Sequence, residues 1–354
     1  MNSHTGVLNV TMLDDSQMID DVVVVAYGVR KKGTIAGSVS TVKSEKLENV
    51  PTASFDQALQ GQTPGLTVMA ASGEPSRAAT FQIRGTNSIN SGTTPLFILD
   101  GVPVESSSFN SINPSDIESI SVLKDASSAA IYGSRAANGV VIVTTKEGSN
   151  TEGKPIIDLS ANVGVSSPSK YLDLLDAAGW AEVTTVSRRA AGLSPLEMAQ
   201  DLASKPDNDW QDLMFGPALM QNYALSVKGG GKYSTYYNSV GYTNQDGVMK
   251  GTNYQRYTLQ SKQDFKKGIF QAGTNVVLTY DQSNPLYSVI RGGMVGHTLQ
   301  AIPTWEQYDE NRTGGYGGLY GDVVNLTHPL GMVDDNLMKR YSDNVKIFAK
   351  KTDF

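Results

Sequence analysis

The stretch Phe270-Gln271-Ala272-Gly273-Thr274-Asn275-Val276-Val277-Leu278-Thr279-Tyr280-Asp281 decides the fold class. Phe270, Ala272, Thr274, Val276, Leu278 and Tyr280 share one parity, while Gln271, Gly273, Asn275, Val277, Thr279 and Asp281 share the other. A period of two is a β-strand with one apolar face, because successive side chains point to opposite sides of a sheet. Upstream, Tyr257, Leu259 and Phe265 oppose Arg256, Gln260, Lys262 and Asp264. Tyr236, Val240 and Tyr242 form one face of another strand, interrupted by Asn238, and Tyr223, Leu225 and Val227 form one face of a further one. Ile157, Leu159, Ala161, Val163 and Val165 alternate with Asp158, Ser160, Asn162 and Gly164. Downstream, a sixth strand is expected near Tyr341 to Ala349.

The connections add a second signal. Gly229-Gly230-Gly231-Lys232 and Lys266-Lys267-Gly268 are short, whereas 166–221, 245–253 and 283–338 are long. Strict alternation of short and long loops is what an up-and-down outer-membrane barrel requires, with short turns on one rim and long loops on the other. Connections as long as 166–221 and 283–338 are hard to place inside a compact soluble domain. The composition permits this reading: mean hydropathy is −0.25 and only 18% of the 354 residues are charged. The longest wholly apolar run, Val22 to Tyr27, is too short for a membrane-spanning helix. A net charge of −6 argues against a nucleic-acid partner, which would need an excess of Lys and Arg.

Residues 35–148 have a different texture, with short elements set off by turn residues. Pro64-Gly65 leads into a strand at Leu66–Met69, and a second strand runs over 81–85. Leu96-Phe97-Ile98-Leu99 meets Asp100-Gly101 before Val102-Pro103-Val104, a hairpin signal. Asn113-Pro114 reads as an N-cap with proline in the first helical position. A strand follows at Ser119–Leu123, then a short helix over Ala126–Tyr132 capped by Asp125, and Asn138-Gly139 turns into the strand Val140–Thr145. Ser54-Phe55-Asp56-Gln57 reads as a capping box.

Catalytic chemistry is missing. With no cysteine and only His4, His297 and His328, there is no thiol nucleophile, no cysteine zinc site and no histidine pair at metal-ligand spacing. Gly148 to Lys154 has the spacing of a phosphate loop, but Pro155 stands where a magnesium-binding hydroxyl belongs and β-like sequence follows. Asp207 with Asp209 reads as solvated charge. No enzyme activity, metal or cofactor is expected. Val22–Gly28, with acidic residues before it and Arg30-Lys31-Lys32 after, reads either as a protected edge strand or as a segment that adds to a partner's sheet.

A dense set of stretches in the first half carries a resemblance. They are Ala58-Leu59-Gln60-Gly61 with Pro64-Gly65-Leu66, Ile83-Arg84-Gly85-Thr86, and Pro95-Leu96-Phe97-Ile98-Leu99-Asp100-Gly101-Val102-Pro103. They continue as Asn113-Pro114-Ser115-Asp116-Ile117-Glu118-Ser119-Ile120, Val122-Leu123-Lys124-Asp125-Ala126-Ser127 and the run from Ala130 to Val140. In this order they resemble the plug domain of SusC/RagA-type TonB-dependent outer-membrane transporters. Residues 156–282 look like the first barrel strands of that family.

The resemblance implies a mixed α/β plug domain followed by antiparallel transmembrane β-barrel strands, as an incomplete barrel. Residues 1–19 would be the tail of a β-sandwich extension, 20–34 the TonB box and linker, 35–150 the plug, and 151–354 about six strands with outer loops 166–221 and 283–338. Barrels of this class close near ~22 strands. Asp21, Val22, Val23, Val24, Val25, Ala26 and Tyr27 would bind TonB, of the TonB-ExbB-ExbD energising complex, by strand pairing. Arg84, Asp100 and Arg135 are the plug candidates. Trp180, Trp210, Trp305, Tyr316 and Tyr320 fall in the outer loops, as contacts for an oligosaccharide or peptide substrate or for a SusD-like surface lipoprotein, with loop packing as the alternative role. The implied setting is the lipid of the outer membrane and the implied activity is uptake of a bulky nutrient. The first residues show no basic stretch followed by an apolar run, so no signal peptide is expected in this sequence. An adhesive surface β-protein and a signalling receptor of the same architecture are the rival readings.

Overall fold

A computed structural model describes residues 22–25, 28–31, 39–48, 59–69, 74–75, 79–83, 85, 93–109, 112–125, 129–285, 293–310, 329 and 342–351. The capping box at 54–57 lies outside them.

The first unit is built on a five-stranded sheet in the order β3-β8-β9-β6-β7. Its strands are β3 (Val39–Lys43), β6 (Leu96–Leu99), β7 (Val102–Val104), β8 (Ile117–Leu123) and β9 (Val140–Thr145). β6 and β9 run parallel and the other pairs antiparallel. The centre of this sheet is covered on both faces, which is why 96–99 and 140–143 are continuous apolar runs without alternation. On one side Phe81, Phe97 and Phe109 pack with Ile117, Ile120 and Val141; on the other, Ile98, Leu123, Ala136 and Ile142 close a second cluster. The rings of Phe97 and Phe109 lie 4.6 Å apart and those of Phe81 and Phe97 5.2 Å apart. A separate ribbon pairs β4 (Leu66–Met69) with β5 (Thr80–Ile83). A short helix, α1 (Ser44–Glu48), follows β3, and α2 (Ser106–Phe109) brings Phe109 to the core.

Asp100 and Gly101 take φ of 47° and 83°, the paired left-handed conformation of a two-residue hairpin. Asn113 caps a 3-10 turn at Pro114–Asp116, its Oδ1 accepting from the Ser115 N–H at 3.0 Å. Of the helix expected over Ala126–Tyr132, 126–128 lie outside the described residues. Ala129 is helical, its N–H donating to Asp125 O at 3.0 Å, and the chain continues as a 3-10 stretch, Ala130–Ala136, kinked at Gly133, whose φ of 69° breaks the helical run.

The second unit is a six-stranded antiparallel meander, β10-β11-β12-β13-β14-β15. The strands are β10 (Ile156–Ser166), β11 (Ala218–Gly230), β12 (Ser234–Asp246), β13 (Asn253–Lys267), β14 (Phe270–Asn284) and β15 (Ser342–Lys351). Each pairs with the next in an unbroken register. The sheet is open, an incomplete barrel. Its long connections are not structureless: they carry α3 (Ala177–Ala190), α4 (Trp210–Met214) and α5 (Gly293–Gln300).

Candidate functional site

The two faces of the meander are inverted relative to a soluble protein. The face buried toward the first unit is mostly polar: Asn222, Thr243, Arg256, Gln260, Lys262 and Thr279 are buried on it, beside Met220, Ala224, Tyr237 and Val277. Those left exposed are apolar: Leu225, Val240, Tyr257, Leu259, Leu278 and Tyr280 are 38–49% exposed. A sheet in water buries its apolar face; this one turns it outward, as a barrel in lipid does.

The first unit rests on the polar face through two clusters of hydrogen bonds. In the first, the hairpin turn presents the Asp100 carboxylate. Thr145 N–H donates to Oδ1 at 2.9 Å and the Thr145 hydroxyl to Oδ2 at 2.6 Å, which fixes the carboxylate within its own domain. From β14, Asn275 Nδ2 donates to the same Oδ2 at 2.6 Å. From β13, Lys262 Nζ lies 3.8 Å from Asp100 Oδ1 and donates to Glu147 Oε1 at 2.7 Å. The side chains of Lys262 and Asp100 are 10% and 8% exposed, so this ion pair is screened from water more than a surface pair is.

In the second cluster the capped turn at 113–116 sits on β12. Tyr237, 1% exposed, donates its hydroxyl to Asp116 Oδ1 at 2.9 Å. Burial pushes the Asp116 carboxyl above its usual range, against the lowering pull of Ser239 and Tyr237 hydrogen bonding and of Lys146 and Arg256. Asn113 fits over Gly241: a Cβ there would meet Asn113 Nδ2 at 2.2 Å. A second close approach joins the connection after β9 to β12, where a Cβ on Gly148 would meet the Tyr236 backbone at 2.3 Å. The phosphate-loop-like segment is part of this clamp: the N–H groups of Thr151 and Gly153 both donate to Gly230 O, at 3.2 and 3.1 Å. No cluster among the described residues has the donors to hold a metal ion.

Val22–Val25 is extended, as β1, and pairs antiparallel with β2 (Gly28–Lys31) in a hairpin. Asp21, Ala26 and Tyr27 lie outside the described residues, as do Arg84, Tyr316 and Tyr320. Arg135 is exposed on the kinked 3-10 stretch. The two long connections that carry the tryptophans are tied together. Trp210, 3% exposed, donates Nε1–H to Ile302 O at 2.9 Å, and Asn208 Nδ2 donates to Trp305 O at 2.6 Å. Gln211 holds the Leu172 backbone through both its N–H and its carbonyl. Trp210 is therefore a packing anchor. Trp180 and Trp305 are half-buried, and Trp180 helps line a cavity of about 470 Å³ with Leu175, Asp176, Asp207 and Gln300. Asp207 and Asp209 are not merely solvated charge: Asp207 accepts from Ala177 N–H at 2.8 Å, and Asp209 caps α4.

Comparison with known proteins gives this architecture its place. A family model described as the TonB-dependent Receptor Plug Domain matches residues 31–140. TonB-dependent receptor P26 of Formosa agariphila is 35% identical over 94% of this chain and 33% of its own length. TonB-dependent receptor SusC of Bacteroides thetaiotaomicron is 35% identical over 90% of this chain and 32% of its own. A solved structure of the RagAB peptide importer in an open-open state superposes with a TM-score of 0.74 at 28% identity, covering 94% of this chain and 41% of that one. The chain belongs to the SusC/RagA-type TonB-dependent transporter family. It spans about a third of the length of the curated relatives it matches. In the terms of that family, the first unit is the plug, the meander is barrel wall, and the two hydrogen-bonded clusters are where plug meets wall.

Proposed function

We propose that this chain supplies the plug and six wall strands of an outer-membrane importer for a bulky nutrient, an oligosaccharide or a peptide. The observation that carries the reading is the inverted sheet, whose polar face is occupied by the plug. A plug held by an apolar core would cost roughly 25 cal/mol for each Å² exposed on leaving. One held by Asp100, Lys262, Asn275, Asp116 and Tyr237 exchanges its hydrogen bonds for water, at a small net cost per bond. Such a seat closes the lumen at rest and opens under a modest pull.

The pull enters at residues 21–27, by strand addition to TonB of the TonB-ExbB-ExbD complex. Main-chain pairing suits a mechanical link because it depends little on side-chain identity. The outer loops, joined through Trp210 and Asn208, form the platform on which a SusD-like lipoprotein sits. The likeness to the RagAB peptide importer and to the SusC relative supports this arrangement.

The test uses a peptide spanning Asp20–Gly28 and the purified TonB C-terminal domain. Binding is expected, and Val23→Pro abolishes it by removing a ladder N–H. Absence of binding at millimolar peptide, or proline tolerance, removes active transport and leaves an adhesive wall protein.

A further inference from the structure

The short-turn rim of the meander gathers cations that its outward face otherwise lacks. Among the positions of outward parity on β10 to β14, Lys267 is the one cation and Asp246, at the long-loop end, the one anion. Two neighbouring turns meet at this rim, and the Lys266 N–H donates to Tyr233 O at 2.8 Å, which fixes them side by side. Lys232 Nζ from one turn and Lys267 Nζ from the other lie 5.4 and 5.6 Å from the centroid of the same Tyr233 ring. One ammonium gains from an aromatic face, but two on one ring repel each other unless an anion joins them. Among the described residues no carboxylate lies within ion-pair distance of Lys232, Lys266 or Lys267. Beside the pair the surface is apolar, with Phe265 and Phe270 44% and 62% exposed. The register sets Phe270 opposite Lys267, and Phe265 two residues away on the same face.

We propose that Lys232 and Lys267 hold the phosphate of an anionic phospholipid in the leaflet on the short-turn side, with its acyl chains against Phe265 and Phe270. The proposal rests on the reading that this face meets lipid. Apolar and aromatic rows are common to any barrel wall in a membrane and name no occupant. The paired ammonium groups select one by charge. An ammonium offers three donors and no acceptor, whereas a phosphodiester oxygen only accepts and carries the opposite charge. A neutral headgroup would leave the two cations uncompensated. An acidic protein segment would satisfy them but has no use for an apolar seat, which an acyl chain fills. A lysine that merely reaches past the hydrocarbon into water shows no preference among lipids, and this separates the two roles.

The experiment takes the full-length membrane protein in lauryl dimethylamine oxide, a detergent without net charge at neutral pH. Native mass spectrometry follows retention of added phosphatidylglycerol and phosphatidylcholine with identical acyl chains, with and without inorganic phosphate. A lysine beside an anionic lipid is worth roughly fivefold in affinity, so two of them give phosphatidylglycerol an expected advantage of about 25-fold. Lys232→Gln with Lys267→Gln keeps both side-chain stems and removes both charges. Retention of phosphatidylglycerol is then expected to fall to that of phosphatidylcholine, which itself stays unchanged. Lys267→Arg is expected to keep the preference, and so is Lys250→Gln, which removes an exposed charge from the connection between β12 and β13 instead. Equal retention of the two lipids, a preference that survives the double variant, an equal loss in Lys250→Gln, or displacement of the lipid by inorganic phosphate overturns the proposal. Failure of the underlying reading has a different signature, because the protein would then not insert into liposomes of any composition.

Discussion

Asp100 occupies a position that restricts what can replace it. Its φ of 47° is tolerated by Asn and Asp but strains other side chains, so Asp100→Asn separates charge from conformation while Asp100→Ala removes both. Asp100→Asn is expected to keep an acceptor for Thr145 and to weaken the link to Lys262. Asp100→Ala loses the bonds to Thr145 and Asn275 together, at about 1.5–3 kcal/mol for a charged acceptor. Plug seating can be read as entry of a large antibiotic that the outer membrane normally excludes. The order expected is alanine leakier than asparagine, and asparagine leakier than the parent. At Asp116, burial raises the carboxyl pKa, so the seated state binds its proton more readily than the released state does. That contribution to seating is present below the usual carboxylate pKa and is lost as pH rises through the raised value. Asp116→Asn, which still accepts from Tyr237, should flatten this acid-side gain in thermal stability; an unchanged pH profile would place the titration elsewhere. The sequence showed Asp100 as a turn residue, through Asp-Gly between two apolar runs, and the resemblance made it a plug candidate. Its bond to the wall was invisible, because Asn275 is 175 positions away and only the fold brings the two together.

At the scale of elements, the strands were legible and the helices in the loops were not, for one physical reason. A strand with unlike environments on its two faces must alternate, and β10 to β14 do. Helix α3 buries Ala177 and Ala181 while Val183 and Val186 stand exposed, so it has no apolar stripe at helical period to be read. Its start was marked all the same by Asp176, whose carboxylate caps the helix by accepting from Gly179 N–H at 2.8 Å. The notch in β12 was equally hidden, since Gly241 interrupts nothing in the alternation. It exists for Asn113: a Cβ there would meet Asn113 Nδ2 at 2.2 Å and Thr258 Oγ1 at 2.5 Å. Gly241→Ala is therefore expected to lift the turn at 113–116 off the wall, at about 1–3 kcal/mol for overpacking. The strands themselves should persist. Limited proteolysis would show faster cutting within the plug and an intact wall, and equal protection of both would mean that the turn does not seat there.

For the whole molecule, the inverted sheet makes adjacent residues obey opposite rules, and β13 offers the sharpest pair. Leu259 is 43% exposed and points outward, whereas Gln260 is 1% exposed and points at the plug. In a soluble sheet the exposed leucine would accept a charge at little cost. In a wall that meets hydrocarbon, Leu259→Arg should cost about 2–4 kcal/mol near the middle of the bilayer. Gln260 behaves conversely: its Nε2 is buried without a hydrogen-bond partner, so Gln260→Leu removes a desolvation cost and should change wall stability by no more than about 1 kcal/mol. Assembly of the full-length protein into liposomes, followed by urea titration, measures both. Loss of assembly for Leu259→Arg beside tolerance of Gln260→Leu is the pattern that lipid contact dictates. The reverse pattern would mean that water bathes the apolar face and that the sheet closes on some other partner. The same inversion explains why overall composition was a weak guide while alternation was a strong one. Hydropathy averaged over both faces of such a strand is unremarkable, and only the parity of each residue records which side of the wall it faces.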